Sequence, residues 1–405
     1  MIFWINNPFD PLPGEGGRPL RYWLLCRALA AAGHEVVWWS SDFHHVRKTC
    51  RSLEPVSASE GFQVRLVPTL PYGSNVGWRR WRSHLRYASE WERLAREAVA
   101  RAELPPPDGI VVSMPPLGLY DAASRLRDAW GSRVVVDIQD AWPETFGQLL
   151  PHWLRGLGQA AFFRLHARAA RAYRGADGVS AVCGRYAQLA QARGCLAEPK
   201  VFRLGCPLPD AAERSDGRGT TLRLCYIGNL GTSYDIRTMV EGVCSLAAEG
   251  WPVTLDVAGD GPQRAWVSAL ASRAGSPLKF HGYVDDTRLQ SCLRACHVGV
   301  VPMFSAMWVA VPNKVADYAA AGLAMINGLT GETGELLRRY DAGTGYEAGN
   351  LESFKQAVRV YAEDRGLLAR HQNGARRMAE EQFDAEKVYP EMACWLMEEM
   401  ARPKT

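Results

Sequence analysis

The sequence predicts an α/β chain made of two doubly wound domains, and three observations carry that prediction. The chain has 405 residues, beyond the size at which a single hydrophobic core stops growing. Short β-rich runs alternate with helical stretches along its length. The alternation pauses at a segment rich in Gly, Pro and charge and then restarts, which implies two sheets rather than one. Hydrophobic residues make up 47% and charged residues 22% of the chain, an ordinary globular composition without disordered or fibrous signature.

The first series of strands reads MIFWIN, HEVVWWS, FQVRLVP, GIVVSM, RVVVDI, GVSAV and KVFRL. These are near-continuous apolar runs, as expected of strands covered on both faces of a parallel sheet. Residues 205–221, GCPLPDAAERSDGRGTT, read as the interdomain linker. The second series follows as LRLCYIG, VTLDVAG, LKFHG, HVGVVPM and LAMING. Two such sheets are expected to bind a ligand at the carboxyl ends of their strands, in a crevice where they face each other.

The formal net charge of +4 and pI near 8.5 are mildly basic. They fall short of a nucleic-acid binder and suit anionic small ligands or an anionic membrane surface. The ten cysteines are scattered through apolar patterns, which reads as reduced packing residues of a cytosolic protein. Cys292, Cys296 and His297 alone cluster; no second ligand pair lies nearby, so packing is preferred to a metal site. The N-terminus lacks a basic leader region and no stretch reaches about 18 apolar residues, so a cytoplasmic chain that does not span a membrane is expected.

Four loops follow strands and lead into helices. NNPFDPLPGEGGRPLRYW carries Gly14, Gly16, Gly17 and the cation Arg18, without a Walker or dinucleotide fingerprint. YIGNLGTSYDI holds Gly228, Asn229 and Gly231, VAGDGPQRA reads as a tight turn whose Asp260 caps a helix, and HGYVDDTRL follows the third strand. In VPNKVADYAAAGLAMI, Pro312 suits a helical first turn and Gly322 its end. Lys314 then sits where a cation opposes the helix dipole. Either it is merely solvated, or the helix N-terminus and the ammonium together receive an anion such as phosphate.

The ordered set YIGNLG, VAGDGP, FHGYVDDTRL, VGVVPM, VPNKVADYAAAGLAMI and GETGELL resembles the nucleotide-sugar domain of retaining glycosyltransferases of the GT-B fold, most closely family 4. The N-terminal glycine loop, AAAGHEVVWWSSDFHH and VVVDIQDAWPE resemble the acceptor domain of bacterial members that act on lipid-linked, cell-surface glycans. The resemblance covers nearly the whole chain. It implies two Rossmann-like domains facing a central cleft: an acceptor domain over 1–204, the linker over 205–221, a nucleotide-sugar domain over 222–385, and a C-terminal helix over 386–405 packing back on the first domain. It also implies that Pro312, Asn313 and Lys314 bring backbone amides and a cation to the donor diphosphate. Asp317, one turn on, contacts the ribose, and Gly282, Tyr283 and Val284 hold the base. Gly16, Gly17 and Asn229 complete the donor side. A leaving diphosphate develops charge that fixed dipoles and an ammonium stabilise, so no metal or other cofactor is expected.

Two departures stand out. The family's paired Glu signature would begin at Val309, and the basic pair usual after the GNLG loop is replaced by Ser233, Tyr234 and Asp235, with Arg237 a turn later. On the acceptor side Asp140 either orients or deprotonates the acceptor hydroxyl, or caps the following turn. Asp137, Glu144, Arg18, His44 and His45 are further acceptor-side candidates, each with a plain structural alternative. The stretch from Trp78 to Arg86 places Trp78, Trp81 and Leu85 at helical spacing among Arg79, Arg80, Arg82 and Arg86. It reads as an interfacial helix on the anionic inner face of a cytoplasmic membrane, the alternative being a packed amphipathic helix. The expected function is hexosyl transfer from a nucleotide-diphosphate sugar to a lipid-linked or polysaccharide acceptor. A noncatalytic nucleotide-sugar-binding subunit and a sugar-nucleotide epimerase are the alternatives.

Overall fold

A computed structural model describes residues 1–405 except 16–17, 52–59, 75–76, 150–152, 154–157, 210–219, 232–233, 305–308 and 404–405. Gly16, Gly17, Ser233 and most of the expected linker therefore lie outside the described residues. The chain divides into one unit of Met1–Leu204 with Glu386–Thr405 and a second of Gly205–Ala385.

In the first unit the strands are β1 Ile2–Asn6, β2 Glu35–Ser41, β3 Phe43–His44, β4 Thr49–Cys50, β5 Gln63–Val67, β6 Gly109–Met114, β7 Arg133–Ile138, β8 Gly178–Ala181 and β9 Lys200–Val201. The helices are α1 Arg21–Ala31, α2 Trp78–Ala100, α3 Leu119–Trp130, α4 Gly158–Ala161, α5 Phe163–Gly175 and α6 Gly184–Ala192. Seven strands form one sheet in the order β5-β2-β1-β6-β7-β8-β9, and every pair in it is parallel. Residues 110–112 and 134–136 are buried on both strand faces, which is why the apolar runs do not alternate. The small β3–β4 hairpin stands apart and has no counterpart in the sequence reading.

The second unit holds β10 Leu222–Ile227, β11 Val253–Ala258, β12 Leu278–Gly282, β13 Val298–Val301, β14 Ala324–Asn327 and β15 Gly343–Gly345. Its helices are α7 Ile236–Ala248, α8 Arg264–Ala271, α9 Asp286–Arg294, α10 Asn313–Ala320, α11 Glu332–Tyr340, α12 Leu351–Glu363 and α13 Arg365–Gln382. The sheet order is β12-β11-β10-β13-β14-β15, again all parallel. Its core joins Leu224, Tyr226, Leu255, Val257, Val298 and Val300 of the strands to helix residues such as Met239 and Val243. The last helix, α14 Ala385–Ala401, lies mainly in the first unit, where Trp395 stacks on Phe202 at 5.4 Å.

Each sheet has one place where strand order reverses: between β1 and β6, and between β10 and β13. Loops leaving the adjacent strands there turn to opposite faces and leave a crevice at the strand carboxyl ends. Asn229 and Lys314 follow β10 and β13, the two strands at the second of these places, whereas Gly282 to Val284 lie at the end of the edge strand β12 and Asp137 and Asp140 at the end of β7.

Candidate functional site

In the second unit three glycine turns close over the ends of β10, β11 and β12. Gly228 and Gly259 adopt φ of 140° and 150°, and Gly261 151°, backbone that side chains rarely adopt. Gly228 N–H donates to Ala258 O at 3.0 Å, Leu230 N–H to Asp260 O at 2.9 Å, and Gly259 N–H to Gly282 O at 2.7 Å. A Cβ on Gly259 would lie 1.8 Å from Gly228 O, so the turns cross at backbone distance. Asp260 accepts from Gly261 N–H and pairs with Arg264 at 3.5 Å, holding the turn.

Lys314 reaches this crossing from the other side of the switch point. Pro312 has extended backbone and stands just before α10, one place earlier than a first-turn proline, and no side chain caps the helix. The Lys314 side chain runs inward to within 3.2 Å of where a Gly228 Cβ would sit, and the residue is 8% exposed. Its Nζ has no hydrogen-bond partner. Instead it lies 4.2 Å from the centre of the Tyr226 ring and 4.7 Å from that of Tyr234, a two-sided cation–π seat. Burial pulls its pKa from 10.5 down to about 7, opposed by the carboxylate of Asp317. A solvated Lys314 is thus overturned: the amine is desolvated beside uncapped helix amides, where an anion would supply the missing partner.

Around it, Asn229 has its carbonyl engaged by the Tyr226 hydroxyl at 2.6 Å. Asp317 is half-buried, Asn313 is exposed, and Tyr283 is 72% exposed beside Gly282 and the half-buried Val284. The two departures from the family pattern have physical accounts. Val309 packs against the apolar cluster beneath α10. Asp235 is buried, accepting from Tyr346 Oη at 3.1 Å and Gly349 N–H at 2.7 Å. Arg237 lies over Trp266 and pairs with Glu241, so it does not take the place of the missing basic pair at Lys314. Sequence reasoning missed Tyr226 and counted Tyr234 only as a departure from the family pattern; an aromatic two residues before the glycine turn was the one available signal for the former. The Cys292–Cys296–His297 cluster is engaged otherwise: Cys296 Sγ contacts Leu224 O, and His297 Nδ1 accepts from Arg223 N–H.

In the first unit Asp137, at the end of β7, is wholly buried and saturated. It accepts from Arg21 Nε and Nη2 at 2.8 Å each, Tyr22 Oη at 2.6 Å, Ser180 Oγ at 2.7 Å and Gln139 Nε2 at 2.6 Å. Such a carboxylate has no lone pair to offer an acceptor, so its role is to fasten α1 to β7 and β8. Burial opposes ionisation there, but the Arg21 guanidinium and the hydrogen bonds outweigh it and its pKa lies below the usual range. Asp10, within the glycine-bearing loop itself, was given no role by the sequence reading; burial raises its pKa to about 6 while Tyr22 N–H donates to it.

Asp140 is different. It accepts from Trp142 Nε1 at 3.1 Å, and burial raises its pKa against the neighbouring Arg80. Arg80 is a correction to the membrane reading: its guanidinium turns inward over Phe9 at 5.6 Å and Trp142 at 5.0 Å. His84 and His45 complete an aromatic wall with Phe9 and Trp142, and His45 Nδ1 meets Tyr72 Oη at 2.6 Å. Burial drops the His45 pKa to about 3, which keeps it neutral. His44 is structural: its Nδ1 accepts from Val46 and Arg47 N–H, closing the turn after β3. Arg18 is half-buried on the loop that Glu15 anchors to Arg51 at 2.7 Å. Glu144 is drawn into a separate triad, accepting from Arg193 Nη2 at 2.8 Å with His166 Nδ1 at 3.3 Å. On α2, Trp78, Arg79 and Arg82 are exposed and Trp81 is half-buried.

Residues 221–364 match the family model "Glycosyl transferases group 1", and residues 16–207 match "Glycosyl transferase 4-like domain". This chain belongs to the GT-B glycosyltransferases. Its fold is shared with sucrose-phosphate synthase from Thermosynechococcus elongatus, at 14% identity over 98% of both chains with a TM-score of 0.73. HepE of Anabaena, solved in complex with UDP-glucose, aligns at 14% identity over 98% of this glycosyltransferase and 99% of HepE, with a TM-score of 0.63. WaaG, a glycosyltransferase involved in lipopolysaccharide biosynthesis, aligns at 14% over 98% and 99% with a TM-score of 0.62. None of the curated proteins matches the glycosyltransferase. Among its described residues no helix is long and apolar enough to cross a membrane.

Proposed function

We propose that this protein is a retaining hexosyltransferase that uses a nucleoside-diphosphate sugar and acts on a lipid-linked or polysaccharide acceptor of the cell surface. The observation that carries the proposal is the Lys314 amine, buried without an oxygen partner between two tyrosine rings at an uncapped helix start. A diphosphate placed there gains an ammonium and free amides. As the bond from the sugar's anomeric carbon to the diphosphate oxygen breaks, that oxygen keeps the electron pair, and the same groups stabilise the charge. Asp317 takes the ribose hydroxyls, and Gly282 to Val284 the base. Asp140, whose basicity burial raises, orients the acceptor hydroxyl and accepts its proton. With Lys314 neutralising the leaving group, turnover needs no metal and survives EDTA.

Neighbours in fold have been solved with UDP and UDP-glucose, which makes uridine nucleotides the first probes. The exposed Trp78, Arg79 and Arg82 of α2 support attachment to the inner face of an anionic membrane. A thermal-shift screen of UDP-, GDP-, ADP- and dTDP-sugars tests the donor: binding at about 100 times Kd raises stability by about 2.7 kcal/mol. Release of nucleoside diphosphate on incubation then separates a transferase from a noncatalytic binding subunit, which would shift in melting without turnover. Failure of every nucleotide sugar to shift the melt overturns the proposal.

A further inference from the structure

Arg80 is the point at which three loops of the first unit's sheet meet. Its guanidinium lies 5.6 Å from the ring centre of Phe9, after β1, and 5.0 Å from that of Trp142, after β7. It also donates to the hydroxyl of Tyr72, after β5, while its Nε donates to His84 Nε2, one turn along α2, at 3.3 Å. Tyr72 Oη in turn meets His45 Nδ1 at 2.6 Å, and Trp142 Nε1 donates to Asp140 at 3.1 Å. One side chain thus joins loops from three strand ends to the Asp140 segment.

An arginine can only donate, and that fact propagates. His45 and His84 are both held neutral, chiefly by burial and then by Arg80. Each ring therefore has one proton, and its partners decide which nitrogen carries it. His84 Nε2 accepts from Arg80, so the proton is on Nδ1, an atom that is buried and has no partner among the described residues. Tyr72 Oη accepts from Arg80 and has its own hydrogen left for His45 Nδ1, which puts the His45 proton on Nε2. The opposite tautomers would set N–H against N–H at His84 and leave the Tyr72 hydrogen without its acceptor at His45.

We propose that Arg80 is a positioning residue for sugar transfer: through its forked donors it fixes the tautomers of His45 and His84 and the placement of the loop that carries Asp140 and Trp142. A lysine there would keep the charge and lose the fork. The link to transfer rests on Asp140 receiving the acceptor proton, as proposed above; the tautomers do not depend on it.

The test pairs NMR of the full chain carrying nitrogen-15-labelled histidine with steady-state kinetics. At pH 8 the wild type is expected to show His45 protonated at Nε2 and His84 at Nδ1, each signal assigned by its loss in His45→Gln or His84→Gln. In Arg80→Lys the His84 signal is expected to leave the Nδ1-protonated position. There kcat is expected to fall about tenfold or more, with donor KM and the UDP thermal shift unchanged. In Arg80→Ala, free guanidinium at millimolar concentration is expected to restore part of kcat where ammonium does not, a distinction that a merely structural loss would not make. If Arg80→Ala folds poorly, Arg80→Lys carries the kinetic test alone. A wild-type His84 protonated at Nε2, a His45 protonated at Nδ1, unchanged kcat in Arg80→Lys, or a rescue that ammonium matches overturns the inference. If the wild type turns over no nucleotide sugar, the transferase proposal fails, and the tautomers, read without substrate, still decide what Arg80 fixes.

Discussion

Binding of a diphosphate at Lys314 should take up a proton. In the free protein burial holds the Lys314 pKa at about 7 rather than 10.5. Its amine faces the Tyr226 and Tyr234 rings, the Gly228 turn and, one turn along its own helix, Asp317. At pH 8 the free amine therefore carries about 0.1 proton, whereas beside a diphosphate it carries nearly one, so about 0.9 proton enters per ligand bound. At pH 6 the uptake falls to about 0.1. Titration with UDP in two buffers of different ionisation enthalpy reads this number directly. Affinity should weaken about tenfold per pH unit above 7, because the neutral amine must first be charged. The same pKa has a consequence for stability. Between pH 7 and 10.5 the unfolded chain holds this proton and the folded chain does not, so this group makes stability rise with pH across that window. Lys314→Met should remove both the proton uptake and that slope while keeping the fold. Buffer-independent heats at pH 8, or the same uptake in Lys314→Met, would refute the assignment.

Asp137→Ala should cost about 3 to 5 kcal/mol by urea unfolding, since it leaves the buried Arg21 guanidinium without its counter-charge; a loss under 1 kcal/mol would show the network to be dispensable. Asp140→Asn should lower kcat about 100-fold or more with UDP affinity unchanged, as expected when a proton acceptor is removed; an unaltered kcat would return Asp140 to the role of a loop cap. Cosedimentation with anionic vesicles at low salt should fall when Trp78→Ser, Arg79→Gln and Arg82→Gln are combined, by about 1 kcal/mol for each arginine. Arg80→Gln should instead disturb the aromatic wall at Trp142 and lower acceptor turnover, leaving vesicle binding in place.

The sequence by itself determined the fold class. Strands buried on both faces of a parallel sheet are apolar throughout, and runs such as GIVVSM and RVVVDI announce that burial without any knowledge of partners. All twelve expected strands are present; the two-residue strands of the β3–β4 hairpin and the three-residue β15, GTG, are too short to show a period. The glycine turns were legible too, because backbone at φ near 150° demands glycine locally. What only the tertiary structure decided is the direction in which each polar side chain points. Asp137 and Asp140 stand three residues apart on the same segment, yet one is saturated by five hydrogen bonds from α1, β8 and its own loop, and the other is left beside Arg80. Arg80 and Arg82 share one helix and face opposite ways. Lys314 is desolvated by rings from β10 and the loop before α7, about 80 to 90 residues away in sequence. Periodicity reports whether a position is covered; which partner covers it depends on strand order, and strand order is set by packing across the whole sheet.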